Sequence, residues 1–350
     1  MNRLFIIILT FFFAIANNAL AQQWHTTLDI RRPATKAIPD NVEDLLIVNN
    51  AVRQPDDLGH STLDDGQSSG PQSFDLSKAP AQVLFAAAEK LDYSYFFWSV
   101  GLVPESQNKG TYFSGETLTI SEVETLCQNY NANAVLALDR ITLYDKQESF
   151  LGDNSDYYAY LEIYANSSWT LFYRSGNSWA STILTHSDTL FWEGKDYDRT
   201  LALEQLPDRH EALLDVAAYT GELFAESLIP QWSTVDRYLY ENQNPLISEG
   251  MKHFTYRRWE KAVEVWEEAY EADYDRKKER YENRAYAAAN IAVAEEILGD
   301  LVASRQWAKE SADAFGKIGT ADAIQQQVNL TFYMREIEQR LKDENNLACR

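Results

Sequence analysis

The sequence from Asn244 to Ala269 reads NPLISEGMKHFTYRRWEKAVEVWEEA, and its spacing of small and bulky residues decides the fold of the C-terminal part. Two helices that cross closely need small residues at the crossing and a bulky residue to fill the gap between turns. Gly250, Ala262 and Trp266 meet that need, with a turn predicted near Arg257. The stretch therefore predicts a pair of packed helices.

These positions resemble the small, small and bulky positions of a tetratricopeptide repeat. A second unit follows, with Asn290-Ile291-Ala292 in its first helix and Gly299-Asp300 at its turn. The charged run from Asp273 to Arg284 lies between the units. It makes the spacing between their equivalent positions longer than the usual period of about 34 residues. Glu249 stands where a leucine is usual, and the closing proline is absent. We expect residues 244–350 to form an all-α, tetratricopeptide-like domain, with an ordinary helical bundle as the alternative.

Residues 1–21 have the three parts of a secretory signal peptide. Arg3 supplies the positive end, Leu4 to Ala16 the apolar core, and Ala19-Leu20-Ala21 a small-residue cleavage site before Gln22. The apolar run is shorter than the roughly 20 residues of a membrane helix, although an uncleaved anchor remains the alternative. We expect an exported, periplasmic or envelope protein without a membrane span. No cysteine follows the cleavage site, so we expect no lipid anchor.

The charge balance limits the classes of partner. The chain has 53 acidic and 31 basic residues, and its net charge is −22. Because binding to phosphate depends on Lys and Arg, this balance disfavours nucleic acid and anionic lipid as partners. Of the two cysteines, Cys127 lies on the apolar face of a predicted helix and Cys349 is next to the last residue, so we expect no disulfide.

Residues 22–243 predict an α/β domain with a mixed sheet. Leu45 to Asn49 and Ala134 to Leu143 are apolar strand-type runs, and Leu76 to Leu91 has helical spacing between them. This order favours parallel neighbours joined by right-handed crossovers. An antiparallel meander follows, with a turn at Gly176-Asn177. Its predicted strands are Tyr157 to Ala165, Trp169 to Arg174, Ser178 to Leu184 and Thr189 to Glu193. The whole chain is thus expected to be an α/β domain followed by an all-α domain.

Three local signals complete this reading. Gln54 to Ser73 is rich in Asp, Gly and Ser with almost nothing to bury, which predicts a mobile loop. Ser121 with Glu124 predicts a capping box that opens a helix over 122–130. Asp208 with Glu211 predicts the start of a helix that ends near Leu228, before Pro230.

Several short motifs together resemble an uncharacterised family of exported Bacteroidetes proteins, many of which are lipoproteins. The motifs are Arg32-Pro33-Ala34, Ile47-Val48-Asn49-Asn50, Ile229-Pro230-Gln231-Trp232, Arg237-Tyr238, Asn290-Ile291-Ala292-Val293-Ala294-Glu295 and Gly299-Asp300. The resemblance covers most of the chain after residue 21. It implies an N-terminal α/β domain, tetratricopeptide-like helices at the C-terminus and no assigned activity. This chain lacks the lipobox cysteine of the lipoprotein members.

Motifs for catalysis or metal binding stand in unsuitable contexts. Gly66-Gln67-Ser68-Ser69-Gly70 matches the nucleophile elbow of hydrolases, but its flanks are polar and indicate a loop instead of a strand-to-helix turn. The five histidines lack metal-ligand spacing, and His60 reads as part of a solvated loop. No glycine-rich phosphate cradle follows a strand. We therefore expect no catalytic residues, no metal and no cofactor.

Two surfaces are candidate binding sites. Tyr158, Tyr160 and Tyr164 share one face of a predicted strand, where they either bind a glycan or partner protein or fill a contact between sheet and helix. The second surface is the inner face of the helical domain, which either holds a peptide or packs on the last helix, Ala321 to Asp343. Its candidate residues are Asn244, Met251, Phe254, Tyr286, Val293 and Glu296.

The sequence favours an exported, non-enzymatic interaction or scaffold protein that binds an envelope protein or peptide through its helical repeats. The alternatives are a hydrolase and a glycan-binding protein, each with its site in the first domain.

Overall fold

The computed structural model describes residues 22–70 and 72–347, and the predicted signal peptide lies outside this range. The chain forms two compact units. The sheet unit is Ala34–Gln231, and the helical unit combines the described residues 22–33 with residues 232–347. The predicted boundary after Gln243 coincides with the start of a helix, but two strands also belong to the helical unit. The architecture is α+β, a sheet-rich part followed by helices.

The centre of the sheet unit is parallel. Strand β2 (Asp44–Asn49) lies between β5 (Ser99–Val103) and β6 (Ala134–Leu151), and all three run in the same direction. Helix α1 (Ala79–Tyr93) packs on one face, and α2 (Ile120–Tyr130) packs on the other. Leu45 to Asn49 are all buried because both faces of β2 are covered. The predicted parallel neighbours are confirmed.

A long antiparallel meander extends this sheet. Strand β7 (Tyr157–Ser175) pairs with β6, and β8 (Ser178–Asp196) pairs with β7 through the predicted turn at Gly176, whose φ is +60°. The prediction of four short strands was wrong. The turn-type residues Asn166, Ser167 and Ser168 stay extended because they pair with both neighbouring strands.

The segment predicted as a mobile loop contains two strands. Strand β3 (His60–Asp64) pairs in parallel with the far half of β6, and β4 (Gln67–Ser68) forms a hairpin with β3. The Gln54 amide bridges to β6 before β3 begins, donating to the Leu143 carbonyl and accepting its N–H, both at 2.8 Å. These long-range pairings, which polar composition does not reveal, fix the segment.

The helix starts are set by side-chain caps. Helix α2 begins two residues earlier than predicted, since the capping box is Thr119 with Glu122 and not Ser121 with Glu124. After a short α3 (Arg199–Glu204), the carboxylate of Asp208 accepts the Glu211 N–H at 2.9 Å and opens α4 (Arg209–Leu228) as predicted. Helix α4 closes the core.

The helical unit holds five successive helices in the described chain: α5 (Pro245–Thr255), α6 (Trp259–Glu271), α7 (Lys277–Leu298), α8 (Leu301–Ile318) and α9 (Ala321–Leu347). Helices α5 and α6 cross at Gly250, where an added Cβ would lie 2.2 Å from the indole nitrogen of Trp266. That nitrogen donates to the carbonyl of Ile247 at 3.2 Å. Only glycine leaves room for the ring.

A two-stranded ribbon completes the helical unit. Strand β1 (Gln22–Arg32) pairs with β9 (Gln231–Glu241), the segment that precedes α5. Across the described residues, no helix combines the length and apolar character required to cross a membrane.

Candidate functional sites

Strand β9 runs along the inner face of α7, where the side chain of Asn290 holds its backbone. The Asn290 amide donates to the Tyr240 carbonyl at 2.8 Å and accepts the Tyr240 N–H at 2.7 Å. Asn290 is fully buried, so this pairing replaces the two hydrogen bonds that a neighbouring strand would give. A side chain of helix α7 thus binds the main chain of an extended segment, β9.

A buried charge network anchors β9 at a second point. The guanidinium of Arg237 donates to both oxygens of the Glu296 carboxylate, at 2.6 and 2.8 Å. Glu296 also accepts the Tyr333 hydroxyl at 2.7 Å and a hydrogen bond from Arg340. Burial, reinforced by the Glu296 charge, raises the pKa of the Tyr333 hydroxyl well above its usual range. These contacts tie β9 to α7 and α9.

The predicted groove residues divide into two groups. Met251, Val293 and Glu296 are buried, and Tyr286 stacks on Tyr240 of β9 with ring centroids 5.4 Å apart. Strand β9 of the same chain therefore lies on the face that the sequence analysis assigned either to a bound peptide or to the last helix.

The other two groove residues serve α5 itself. The Asn244 side chain accepts the N–H groups of Leu246 and Ile247 at the start of the helix. Phe254 packs on Trp266 with ring centroids 5.9 Å apart. Phe254 also packs against the hydrophobic cluster that contains Met251, Val293 and Leu239 of β9.

A cavity of about 530 Å³ lies beside β9, between this strand, α7 and α9. Val293 is the one predicted groove residue that lines it. Tyr238 and Phe332 stand at its edge and are 50% and 61% exposed. Side-chain amides of Gln326 and Asn329 supply polar groups to the wall. The cavity combines apolar surface with hydrogen-bonding groups, as ligand-binding pockets do. The cavity was not predicted from the sequence, because one of its walls is formed by β9.

The predicted aromatic face lies on the sheet unit. Tyr158, Tyr160 and Tyr164 do share one side of β7, and the core under α1 and α4 uses the opposite side. Rings from three strands form a row along this side: Phe150 is 5.8 Å from Tyr158, Tyr158 is 6.4 Å from Tyr160, and Tyr160 is 5.3 Å from Phe191. Tyr164 is 42% exposed and Phe191 is 55% exposed. We call this row the aromatic ladder.

Charged groups border the aromatic ladder. Lys195 lies over the Tyr158 ring at 5.1 Å and contacts Asp156 at 2.9 Å. Burial and the neighbouring Glu193 carboxylate raise the pKa of Tyr160. Two tryptophans of β7 and β8 lie outside the aromatic ladder: Trp169 stacks on Phe224 in the core at 4.4 Å, and Trp179 packs under Arg174 at 4.3 Å.

His60 is part of a buried ionic cluster and not of a solvated loop. Its Nδ1 hydrogen bonds to Asp145, which also accepts from Arg209. Arg209 further donates to the carbonyl of Ser61 at 2.7 Å. The cluster fastens β3 and α4 to β6. No local pattern predicts it, since its members lie 85 and 64 positions apart.

The residues considered for catalysis or metal binding lie in environments that differ from those such chemistry requires. Ser68 of the hydrolase-like motif lies exposed on the β3–β4 hairpin, and no strand-to-helix turn holds it. Cys127 is buried, and burial raises the pKa of its thiol. In the described part of the chain, no cluster of three or more His, Cys, Asp or Glu side chains could hold a metal ion.

Two family models match the chain. Residues 42–240 match the model described as Domain of unknown function (DUF8603), which covers more than half of the sequence. Residues 248–339 match the model described as Domain of unknown function (DUF6340). No curated protein matches the sequence. Neither description names an activity.

Proposed function

The chain belongs to the DUF8603 family, and from this premise we propose that it is an exported, non-enzymatic protein of the cell envelope that binds an extended segment of a partner protein. The segment lies in the cavity beside β9 in the helical unit. The non-enzymatic part of the proposal rests on the contexts of Ser68 and Cys127, which suit structure and not nucleophilic attack.

The observation that carries the proposal is the pair of hydrogen bonds between the Asn290 side chain and the backbone of Tyr240. A partner's extended segment offers the same N–H and C=O groups as β9. In the neighbouring cavity, Gln326 and Asn329 carry side-chain amides of the same chemistry. The Gln326 oxygen accepts the Tyr240 hydroxyl at 2.5 Å and the Asn329 amide at 3.4 Å, and the Asn329 oxygen accepts the Gln325 amide at 3.1 Å. On this proposal, a bound segment replaces these bonds with bonds to its own main chain.

The edge of the cavity defines the preferred segment. Tyr238 of β9 and Phe332 of α9 offer aromatic surface to the cavity, and Leu330 of α9 also lines it. Such a pocket favours an apolar or aromatic side chain as the anchor of the bound segment. The amides pair with the backbone beside that anchor.

The arrangement of helices supports a tetratricopeptide-like class for this unit. Gly250 and Ala262 are buried on neighbouring helices, and the Trp266 ring fills the space between turns as that repeat requires. Tetratricopeptide-like helix pairs present a concave face to extended ligands. Because β9 lies along these helices, we expect a partner next to the strand instead of beneath it.

The test is capture of partners from envelope extracts by the full mature chain. Phe332→Asp adds a charge to the cavity edge, and Val328→Asp makes the same change one helical turn away, at a residue that is 43% exposed and outside the cavity. We expect wild type and Val328→Asp to retain the same protein and Phe332→Asp to lose it. Equal retention by all three, or no specific protein on wild type, would contradict the proposal.

Export is tested separately by sequencing the N-terminus of the chain recovered from cells. Cleavage after Ala21 gives a chain that begins at Gln22, the first residue of β1. A chain recovered from the cytoplasm with Met1 intact would show that the protein is not exported.

A second candidate function is glycan binding at the aromatic ladder. The observation that favours it is the row of four rings on a sheet face where Tyr164 and Phe191 remain exposed. Aromatic rings stack on the C–H faces of sugars, and carboxylates such as Glu193 accept hydrogen bonds from sugar hydroxyls. The acidic charge of the chain favours a neutral glycan over an acidic one.

Titration with cellohexaose, chitohexaose and polygalacturonate, followed by intrinsic fluorescence and calorimetry, tests this candidate. We expect binding of a neutral oligomer that is lost in Tyr160→Ala. The control, Tyr95→Ala, removes a ring that is 85% exposed elsewhere on the sheet unit. An absence of binding by all three glycans would exclude the ladder as a glycan site.

A further inference from the structure

Strand β8 forms one edge of the sheet for its whole length. It runs for 19 residues, Ser178–Asp196, and within the described chain it pairs with β7 alone. Strands in globular proteins are usually about 5–6 residues long. A long edge leaves a row of backbone N–H and C=O groups without a neighbouring strand.

The contacts of Lys195 show which residues point to this edge. Its N–H donates to the Gln205 side chain at 3.2 Å, and the Gln205 amide donates to its carbonyl at 2.9 Å. Since alternate residues of a strand direct both groups to the same side, the odd-numbered residues share this edge. They are Trp179, Ser181, Ile183, Thr185, Ser187, Thr189, Phe191 and Glu193. Gln205 caps the edge at Lys195 only.

The rest of the edge lacks the usual protection against pairing. Soluble proteins shield edge strands with lysines, prolines or bulges. From Ser178 to Trp192 the strand contains no Lys, Arg or Pro, and its register with β7 is regular throughout. Ile183 at its centre is 70% exposed. This edge has the composition and geometry of a strand that is covered by another strand.

We propose that β8 pairs with β8 of a second copy of this chain, antiparallel and across a two-fold axis, so that two sheets become one. A second copy offers an edge of the same length with the same alternation of donors and acceptors. Such self-complementary pairing closes on itself and leaves no further free edge at β8. The proposal concerns the sheet unit and stands apart from partner binding by the helical unit.

A two-fold axis at Thr185 gives favourable neighbours along the pair. It places Trp179 opposite Phe191, an aromatic pair that occurs twice in the dimer. Ile183 meets Ser187, and Asp188 meets the uncharged Thr182. No like charges stand directly opposite each other between Ser178 and Trp192. The side chains therefore support the pairing that the backbone groups invite.

Sedimentation of the full mature chain over a dilution series tests the proposal. Thr185→Pro removes an N–H that points away from β7, so the internal ladder is retained while the outer edge is blocked. Thr185→Val keeps the N–H and is the matched control. We expect dimers for wild type and Thr185→Val, and monomers with an unchanged circular dichroism spectrum for Thr185→Pro.

Hydrogen exchange gives a second, residue-level measurement on the wild-type chain. Amides of Ile183, Thr185 and Ser187 should exchange slowly at high protein concentration and faster on dilution. A wild-type chain that sediments as a monomer throughout the series overturns the proposal. A dimer that persists in Thr185→Pro, or one without concentration-dependent protection of these amides, overturns it as well.

Discussion

The carboxylate of Glu296 and the guanidinium of Arg237 form a two-point pair inside the helical unit, at 2.6 and 2.8 Å. The Glu296 side chain has no exposed surface, and that of Arg237 is 6% exposed. Because Arg237 belongs to β9 and Glu296 to α7, the pair fastens the strand to the helix.

Glu296→Gln should therefore destabilise the helical unit. The substitution removes the charge that Arg237 and Arg340 share and leaves Arg237 with only the partly exposed Glu336 carboxylate, at 3.3 Å. Breaking a buried pair costs about 3–5 kcal/mol. Urea unfolding measures the loss. Glu338→Gln is the control, because Glu338 and its partner Arg305 are each nearly half exposed, and such a pair contributes about 0–1 kcal/mol. Equal effects of the two variants would show that Glu296 is not a buried anchor.

High pH should weaken the same site through Tyr333. Its hydroxyl has a raised pKa in the folded chain, so the unfolded chain loses this proton first, near pH 10. The stabilisation is fully present below about pH 10 and is lost as pH rises above it. We expect the urea midpoint of wild type to fall more steeply above that pH than that of Tyr333→Phe. Tyr256→Phe, at a residue 73% exposed, should behave as wild type.

The sequence was sufficient for elements with local signals. The start of α4 follows from Asp208, whose side chain caps the third N–H of the helix, and its end follows from Pro230. The apolar run that forms β2 identifies a strand covered on both faces. The Gly250, Ala262 and Trp266 spacing predicts the α5–α6 pair. In each case the residues that decide the structure lie within about one element.

The other features of the fold depend on contacts between residues that are far apart in the sequence. Asn290 was predicted in the first helix of the second repeat unit, but nothing near it indicates that Tyr240, 50 positions earlier, supplies the backbone it binds. Gln54 replaces a strand neighbour for Leu143 in the same way. Asn166 to Ser168 has turn composition, yet pairing on both sides keeps it extended. These contacts have no local pattern.

This difference between local signals and long-range contacts explains which features of the candidate sites could be predicted. The tyrosines of the aromatic ladder were placed correctly on one side of β7, since strand alternation is local. The inner face of the helices was predicted from spacing, and a spacing argument does not include β9, whose Tyr240 contacts Asn290 and Tyr286 of α7.

Acid should weaken the start of α2 through Glu122. The backbone N–H of Thr119 and its hydroxyl, with help from Lys109, lower the pKa of Glu122 to about 2. The pKa in the unfolded chain is about 4.3, so the stabilisation is present above that pH and is lost as pH falls towards about 2. Thermal unfolding of Glu122→Gln should show a smaller loss over this range than wild type. Glu89→Gln, at an exposed position of α1, should follow wild type.

Gly250→Ala tests the close helix crossing on which the tetratricopeptide-like class depends. The added methyl group would lie 2.2 Å from the indole nitrogen of Trp266, a ring that is fully buried and cannot move aside. Overpacking of this kind costs about 1–3 kcal/mol, which exceeds the gain of about 0.5–1 kcal/mol from replacing a helical glycine.

Gly316→Ala is the matched control in α8. There the methyl group meets only the end of the Gln327 side chain, at 2.8 Å, and this side chain can rotate away. We expect a lower urea midpoint for Gly250→Ala and an equal or higher one for Gly316→Ala. Because both changes add the same methyl group to a helix, only the contact with Trp266 can separate them. A Gly250→Ala variant as stable as wild type would mean that α5 and α6 do not cross closely at this residue.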